Sequence, residues 1–354
     1  MFASEDNQVL LEQQLYAVRV KRYVIGVVTA CMLAYGIGWG LSFVFPVFLA
    51  KFLVDYPVSN RDRFQQLVLA MVLTVLVGLA VSMGITQYPL ILLILVGGLM
   101  FYAYYLFLDP HWNFFATILL ISVMLLPYLG ITNSAVAIYV GTGLIISGVL
   151  AVIAFAVLHW LFPEPQQKTQ LSTQEILSKE LRIYASAKAL IVGYPVIVYF
   201  YYFQINGAIL TMVFIGILSL QITTVKSIKI GLFLLLTNTI GGLLAVILYE
   251  LLVTTPQFIF LIALITLVSL SIGSMIYEKP EKAPLWAGVM SAMLVVLGGT
   301  ISSDSKLIEL SFYGRIAQIL LASVYMISVS VLMDLYEKSK ENETQQEEIS
   351  DSYE

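Results

Sequence analysis

Apolar runs of about 20 residues, the length that crosses a bilayer as a helix, recur along most of this chain and are separated by short polar breaks. They predict helices over about 23–41, 66–84, 88–108, 113–130 and 136–160, and again over about 186–203, 229–250, 257–277, 285–301 and 313–335. Two further runs, about 43–54 and 207–222, are short, and each follows directly on a longer one. The pattern gives six segments per half, with a short, broken second segment in each.

The first break is the most unusual. Between Ala34 and Asp55 the sequence reads AYGIGWGLSFVFPVFLAKFLVD, so Gly36, Gly38 and Gly40 surround Trp39, Pro46 removes an amide donor, and Lys51 places a charge near the end of the apolar residues. Backbone broken in this way at membrane depth is tolerated where protein covers it or where it lines a cavity, which makes the stretch a site candidate. Tyr199 to Gln221, YFYYFQINGAILTMVFIGILSLQ, repeats the arrangement of aromatics, a polar break at Gln204 to Gly207, and a short apolar run.

Other landmarks recur at an offset of roughly 168 residues, the signature of internal duplication. Arg61 and Arg63 correspond to Lys226 and Lys229, Thr86-Gln87-Tyr88-Pro89 to Thr254-Thr255-Pro256, and Asp109-Pro110 to Lys279-Pro280. The expected organisation is a cytoplasmic amphipathic segment over 1–22, a membrane repeat over 23–160, a cytoplasmic linker with a short helix over 161–185, a second membrane repeat over 186–335, and an acidic, disordered cytoplasmic tail over 336–354. The linker helix is expected to start near Gln174, capped by Ser172 or Thr173. Leu11, Leu15 and Val18 suit a surface helix, and equally a plain extension of the first span.

Basic residues set the topology. With a cytoplasmic N-terminus and twelve crossings, all Lys and Arg fall on the cytoplasmic side except Lys306 and Arg315. The bias holds in each half separately, so the repeats are expected to be parallel rather than inverted. Met1 to Leu15 is polar and acidic and lacks the form of a cleavable signal.

Composition sharpens this reading. At 60% hydrophobic and 11% charged residues, against roughly 25% charged in soluble domains, the chain is an all-α integral membrane protein. The net charge of −4 reflects the acidic tail, and nothing in it points to nucleic acid. A single cysteine, Cys31, excludes a disulfide framework or a Cys-based metal site within one chain. There is no Walker A pattern, no HExxH motif and no pair of intramembrane aspartates, so neither an enzyme nor a resident cofactor is expected.

Charges and amides at membrane depth are the candidate chemistry. Lys51 either snorkels to the interface or faces a cavity and attracts a carboxylate, with Asp55 one turn on as its resting partner. Tyr35, Trp39, Tyr201 and Tyr202 stand beside the two breaks, where an aromatic wall would stack a planar substrate. Gln204, Asn206 and Gln221 flank the second short segment, and Asn238 lies in mid-segment before Gly241-Gly242, suited to helix packing or to substrate contact. Arg315 either anchors the outer interface or attracts anions at an exit. His111 and His159 read as interfacial residues or as a proton relay.

The basic opening Arg19 to Arg22, the pattern LAYGIGW followed by FVFPVFLA, and NTIGGLLAVIL after KSIKIG resemble the fusaric acid resistance and aromatic acid exporter family of bacterial inner-membrane proteins, in its compact branch. The resemblance covers about 20–160 and 180–335 and rests on small and aromatic residues. It implies proton-driven efflux of small, often carboxylated, aromatic or amphiphilic compounds, a periplasmic adaptor of the membrane-fusion type as partner, and a homodimer. The large cytoplasmic region of bigger members is missing, since only a short linker joins the halves. The competing expectation is a non-transporting membrane scaffold or subunit of an envelope complex.

Overall fold

The computed structural model describes residues 2–39, 41–57, 61–164, 177–205, 209–222 and 227–301, with further residues between 317 and 335. The described chain is helical: α1 (Phe2–Ile37), α2 (Val44–Asp55), α3 (Arg61–Gly84), α4 (Pro89–Phe107), α5 (Asn113–Thr132), α6 (Ser134–Leu161), α7 (Lys179–Phe203), α8 (Ile209–Ile222), α9 (Ser227–Thr254), α10 (Phe258–Glu278) and α11 (Ala283–Ile301). A shorter apolar helix, α12, follows over Leu320–Val329. Nine of the described helices are long and apolar enough to cross a membrane. The protein is therefore a multi-pass membrane protein of all-α class.

The two short helices lie where the hydrophobic pattern breaks. At about 1.5 Å per residue, the 12 residues of α2 and 14 of α8 extend for about 18 and 21 Å, short of a hydrocarbon layer of about 30 Å. Left-handed backbone initiates both turns: Gly38 has φ +66° and Leu41 φ +59° before α2, and Gln204 has φ +50° before α8. Gly38 meets this requirement without a Cβ penalty. Pro46 sits in the first turn of α2, where its missing amide hydrogen costs no helical bond.

The helix runs unbroken from Phe2 to Ile37, so residues 2–22 extend the first span, one of the two forms expected for them. One element boundary differs from the sequence expectation. The second half begins at Lys179 rather than near 186, since the Ser178 side chain accepts the Leu181 amide as an N-cap and the polar turn that follows is simply the start of α7. The end of the expected linker over 161–185 thus lies within α7 from Lys179 on, whereas the expected cap of its helix at Ser172 or Thr173 falls outside the described residues, as does the tail over 336–354.

Packing divides the interior into cores. The larger contains Tyr23, Ala34, Phe45, Leu49, Phe52, Phe155, Ile265 and Val289, and so joins α1, α2, α6, α10 and α11, with α3, α5 and α9 closing it. The second joins α4, α5, α7 and α8 through Met100, Tyr104, Leu120, Tyr128, Tyr201 and Met212. Among the contacting pairs, α1 packs on α2 and α10, α7 packs on α8 and α4, α3 packs on α5, α9 on α11, α2 on α11 and α8 on α5. Close approaches rely on glycine. A Cβ at Gly241 of α9 would lie 2.6 Å from the Val289 carbonyl oxygen of α11, and one at Gly298 would lie 2.7 Å from the Tyr35 hydroxyl and 2.5 Å from Phe43 Cβ.

Candidate functional site

The entry to α2 is fixed by one serine of α6. Trp39 Nε1 donates to Ser147 Oγ at 2.8 Å, and Ser147 donates onward to the Leu41 carbonyl at 2.9 Å. Ser147 is fully buried, so it satisfies both an indole N–H and a carbonyl exposed by the left-handed turn.

The exit of α2 is held by three other helices. The last carbonyls of a helix lack partners and carry partial negative charge. Here Tyr277 of α10 donates to the Leu53 carbonyl at 3.1 Å, Arg22 Nη2 of α1 donates to the Pro57 carbonyl at 3.1 Å, and His159 Nε2 of α6 lies 3.0 Å from the same oxygen. His159 Nδ1 lies 2.9 Å from the Phe155 carbonyl. Carbonyls only accept, so a neutral ring makes one of these bonds and a protonated ring both.

Arg22 belongs to a charged cluster. Its Nη2 also donates to Glu164 Oε1 at 2.6 Å, and Arg19 reaches the same carboxylate through Nε at 3.0 Å and Nη2 at 2.7 Å. Arg22 is fully buried and the Glu164 side chain is 13% exposed. Burial pushes the Glu164 carboxyl upward, but the Arg19 and Arg22 contacts outweigh it and hold the group below the usual glutamate range.

Lys51 and Asp55 form an ion pair at 2.9 Å along the outer side of α2, with side chains 47% and 40% exposed. A recess nearby is lined by Tyr56, Arg63, Gln66, His111 and Trp112. The Arg63 guanidinium carbon lies 5.2 Å from the centre of the Tyr56 ring, and Gln66 bridges Arg63 and His111. Burial, then the Asp55 charge, push the Tyr56 hydroxyl up to about 12, against an opposing pull from Arg63.

The second break is built differently. Tyr201 donates to the Met124 carbonyl of α5 at 2.9 Å, and Gln204 donates to the Tyr201 carbonyl at 2.8 Å while accepting from Thr132 at 3.4 Å. Arg182, buried at the start of α7, donates to the Tyr105 carbonyl at 2.9 Å and stacks on the Tyr105 ring at 4.2 Å.

Of the residues singled out by sequence, Tyr35 and Trp39 pack on the larger core, Tyr201 lies in the second, and Tyr202 points outward at 79% exposure. The four aromatics therefore do not form one wall, because each break folds into its own core. Asn238 is buried in α9. Gln221 lies in the last turn of α8, its side chain outside what is described, and Asn206 and Arg315 lie outside the described residues altogether. Sequence reasoning missed Arg22, Glu164, Ser147 and Tyr277. The spacing of Arg19 and Arg22, one helical turn apart at the foot of an apolar run, is the signal that could have marked a shared partner.

No curated protein and no solved structure matches the chain. Residues 19–158 match the family model described as a protein of unknown function, DUF2955, a segment that opens on Arg19 and runs through α6 to Leu158.

Proposed function

We propose that the protein is an exporter of the bacterial inner membrane that moves small aromatic or amphiphilic anions, often carboxylated, out of the cytoplasm. The observation that carries this reading is α2, a half-length helix held inside the bundle by side chains at both ends, with Lys51 near its exit. Discontinuous helices of this kind are where transporters place their substrate and ion sites.

The architecture proposed for it is two parallel six-segment repeats with twelve crossings and both termini in the cytoplasm. Its support is the recurrence of packing pairs, α1 on α2 beside α7 on α8, α1 on α10 beside α7 on α4, α2 on α11 beside α8 on α5, and α3 on α5 beside α9 on α11. The family-model match to 19–158 also coincides with the first of these units. Arg19, Arg22 and His159 gather around Glu164 and Pro57, and Gln66 links Arg63 to His111, and positive-inside asymmetry assigns these basic clusters to the cytoplasm. Energy comes from the proton gradient, a periplasmic adaptor carries the substrate onward, and the working form is a homodimer.

The test is efflux. A deletion strain should accumulate labelled benzoate or a hydroxybenzoate and become more sensitive to a panel of aromatic acids and amphiphilic dyes, and a collapsed proton gradient should reproduce the defect in the parent. Unchanged accumulation and sensitivity across the panel would instead assign the protein to a membrane scaffold.

A further inference from the structure

We infer that Arg19 and Arg22 form a binding site for a small carboxylate anion, and that Glu164 of the same chain occupies that site in this conformation. Arg19 presents its Nε and Nη2 edge to the two oxygens of Glu164 at 3.0 and 2.7 Å, the two-pronged arrangement by which a guanidinium reads a carboxylate. Arg22 adds a third donor at 2.6 Å. Its Nε is buried and has no hydrogen-bond partner, so the site offers more donor capacity than Glu164 uses.

The donors and the acceptor are carried on different kinds of backbone. Arg19 and Arg22 are set one turn apart on the continuous helix α1. Glu164 lies beyond the end of α6 at Leu161, in non-helical chain after Phe162 and Pro163. The exchangeable partner is therefore the glutamate. A buried guanidinium left without its anion is strongly destabilising, so Glu164 leaves only as another anion arrives, and a ligand carboxylate satisfies both arginines as it departs. Tyr277 stands beside the site: its hydroxyl donates to the Leu53 carbonyl and its ring packs edge to face on the buried Tyr23 at 6.1 Å. A carboxylate on an aromatic body fits that setting.

The exchange acts on α2. Arg22 Nη2 serves both Glu164 and the Pro57 carbonyl, so the occupant of the site is felt where α2 leads into α3. Glu164 thus acts as a built-in competitor that gates its own replacement. The choice of an aromatic carboxylate rests on the proposed export function, whereas the two-arginine site does not.

Full-length protein purified in detergent, titrated calorimetrically with sodium benzoate against sodium chloride of equal ionic strength, tests the assignment. Glu164→Gln should bind benzoate about tenfold or more tightly than the unaltered protein, and adding Arg19→Gln should abolish the gain. Equal or weaker binding by a monodisperse Glu164→Gln variant overturns it. Should that variant fail to fold, the rate of maleimide labelling of Phe162→Cys in otherwise unaltered protein decides: benzoate should accelerate it and chloride should not, and a benzoate-independent rate overturns the proposal. Benzoate binding with no efflux phenotype would leave the site standing and remove the exporter reading, while efflux with no gain in Glu164→Gln would do the reverse.

Discussion

Arg22 and His159, from α1 and α6, converge on a single acceptor, the carbonyl oxygen of Pro57, at 3.1 and 3.0 Å. Arg22 donates to it, and His159 does so when its proton is on Nε2, one lone pair serving each, so the chain leaving α2 meets two helices at one atom. Arg22→Gln should be the most damaging single change at this end. It removes the charge that Glu164 faces inside the protein, and breaking a buried pair from one side costs about 3–5 kcal/mol. Thermal unfolding in detergent should show a large fall for Arg22→Gln and a smaller one for Arg22→Lys, which keeps the charge.

Acid should loosen the same cluster. Glu164 ionises below an ordinary glutamate because the arginine contacts outweigh its burial, so in its titration range the unfolded chain binds more protons than the folded one. The stabilisation is therefore complete above the ordinary glutamate pKa, about 4.3, and is lost as pH falls through the depressed folded value. The charged and titratable groups gathered around it are Arg19, Arg22, His159 and Tyr277. Melting temperature measured from neutral pH downward should fall less steeply in Glu164→Gln than in the unaltered protein over the acid range.

Ser147→Ala tests the entry to α2. It deprives the Trp39 indole N–H of its partner, while the Leu41 carbonyl keeps the Val44 amide, and a buried polar group left unsatisfied costs about 1–3 kcal/mol. A lower melting temperature with unchanged helix content by circular dichroism is expected, and no loss would mean that water replaces the hydroxyl at no cost.

Lys51→Ala should behave in the opposite way. The Lys51–Asp55 pair is exposed on both sides, and such pairs are worth roughly 0.2–1 kcal/mol. The variant should insert and melt almost normally, so that any loss of anion efflux reports on transport alone.

Gly298→Val should separate packing from chemistry. The Cβ alone would meet the Tyr35 hydroxyl and Phe43, both part of the approach to α2, and overpacking of this kind costs about 1–3 kcal/mol. Gly38 has no atom within 4 Å of an added Cβ, so Gly38→Ala should be penalised through its backbone conformation only.

Much of this fold was legible in the sequence because apolar run length reports directly on bilayer crossing. The glycines around Trp39 and the polar Gln204 marked the two places where the backbone turns left-handed, and the shortness of the runs that follow gave α2 and α8. The start of α7 was less legible, because Lys179 to Lys188 is polar enough to read as linker while Ser178 supplies a cap that periodicity does not register. The contacts of Arg22, Glu164 and Ser147 were hidden for a different reason. Arg22 at the foot of a span satisfies positive-inside asymmetry whether it faces water or protein, Glu164 lies in a short polar stretch that looks solvated, and one serine in an apolar helix looks like packing. Their roles depend on contacts between residues more than a hundred positions apart.

Ser147 and His159 grip the two ends of α2 from one face of α6, and the stretch between them rises by about 18 Å, the same as α2 itself at about 1.5 Å per residue. The two helices therefore run side by side in the same direction, locked like a rail bolted at both ends. A slide of one turn would break both fastenings together, and a tilt of either helix carries the other. Any displacement of α2 along the bundle must therefore carry α6 with it.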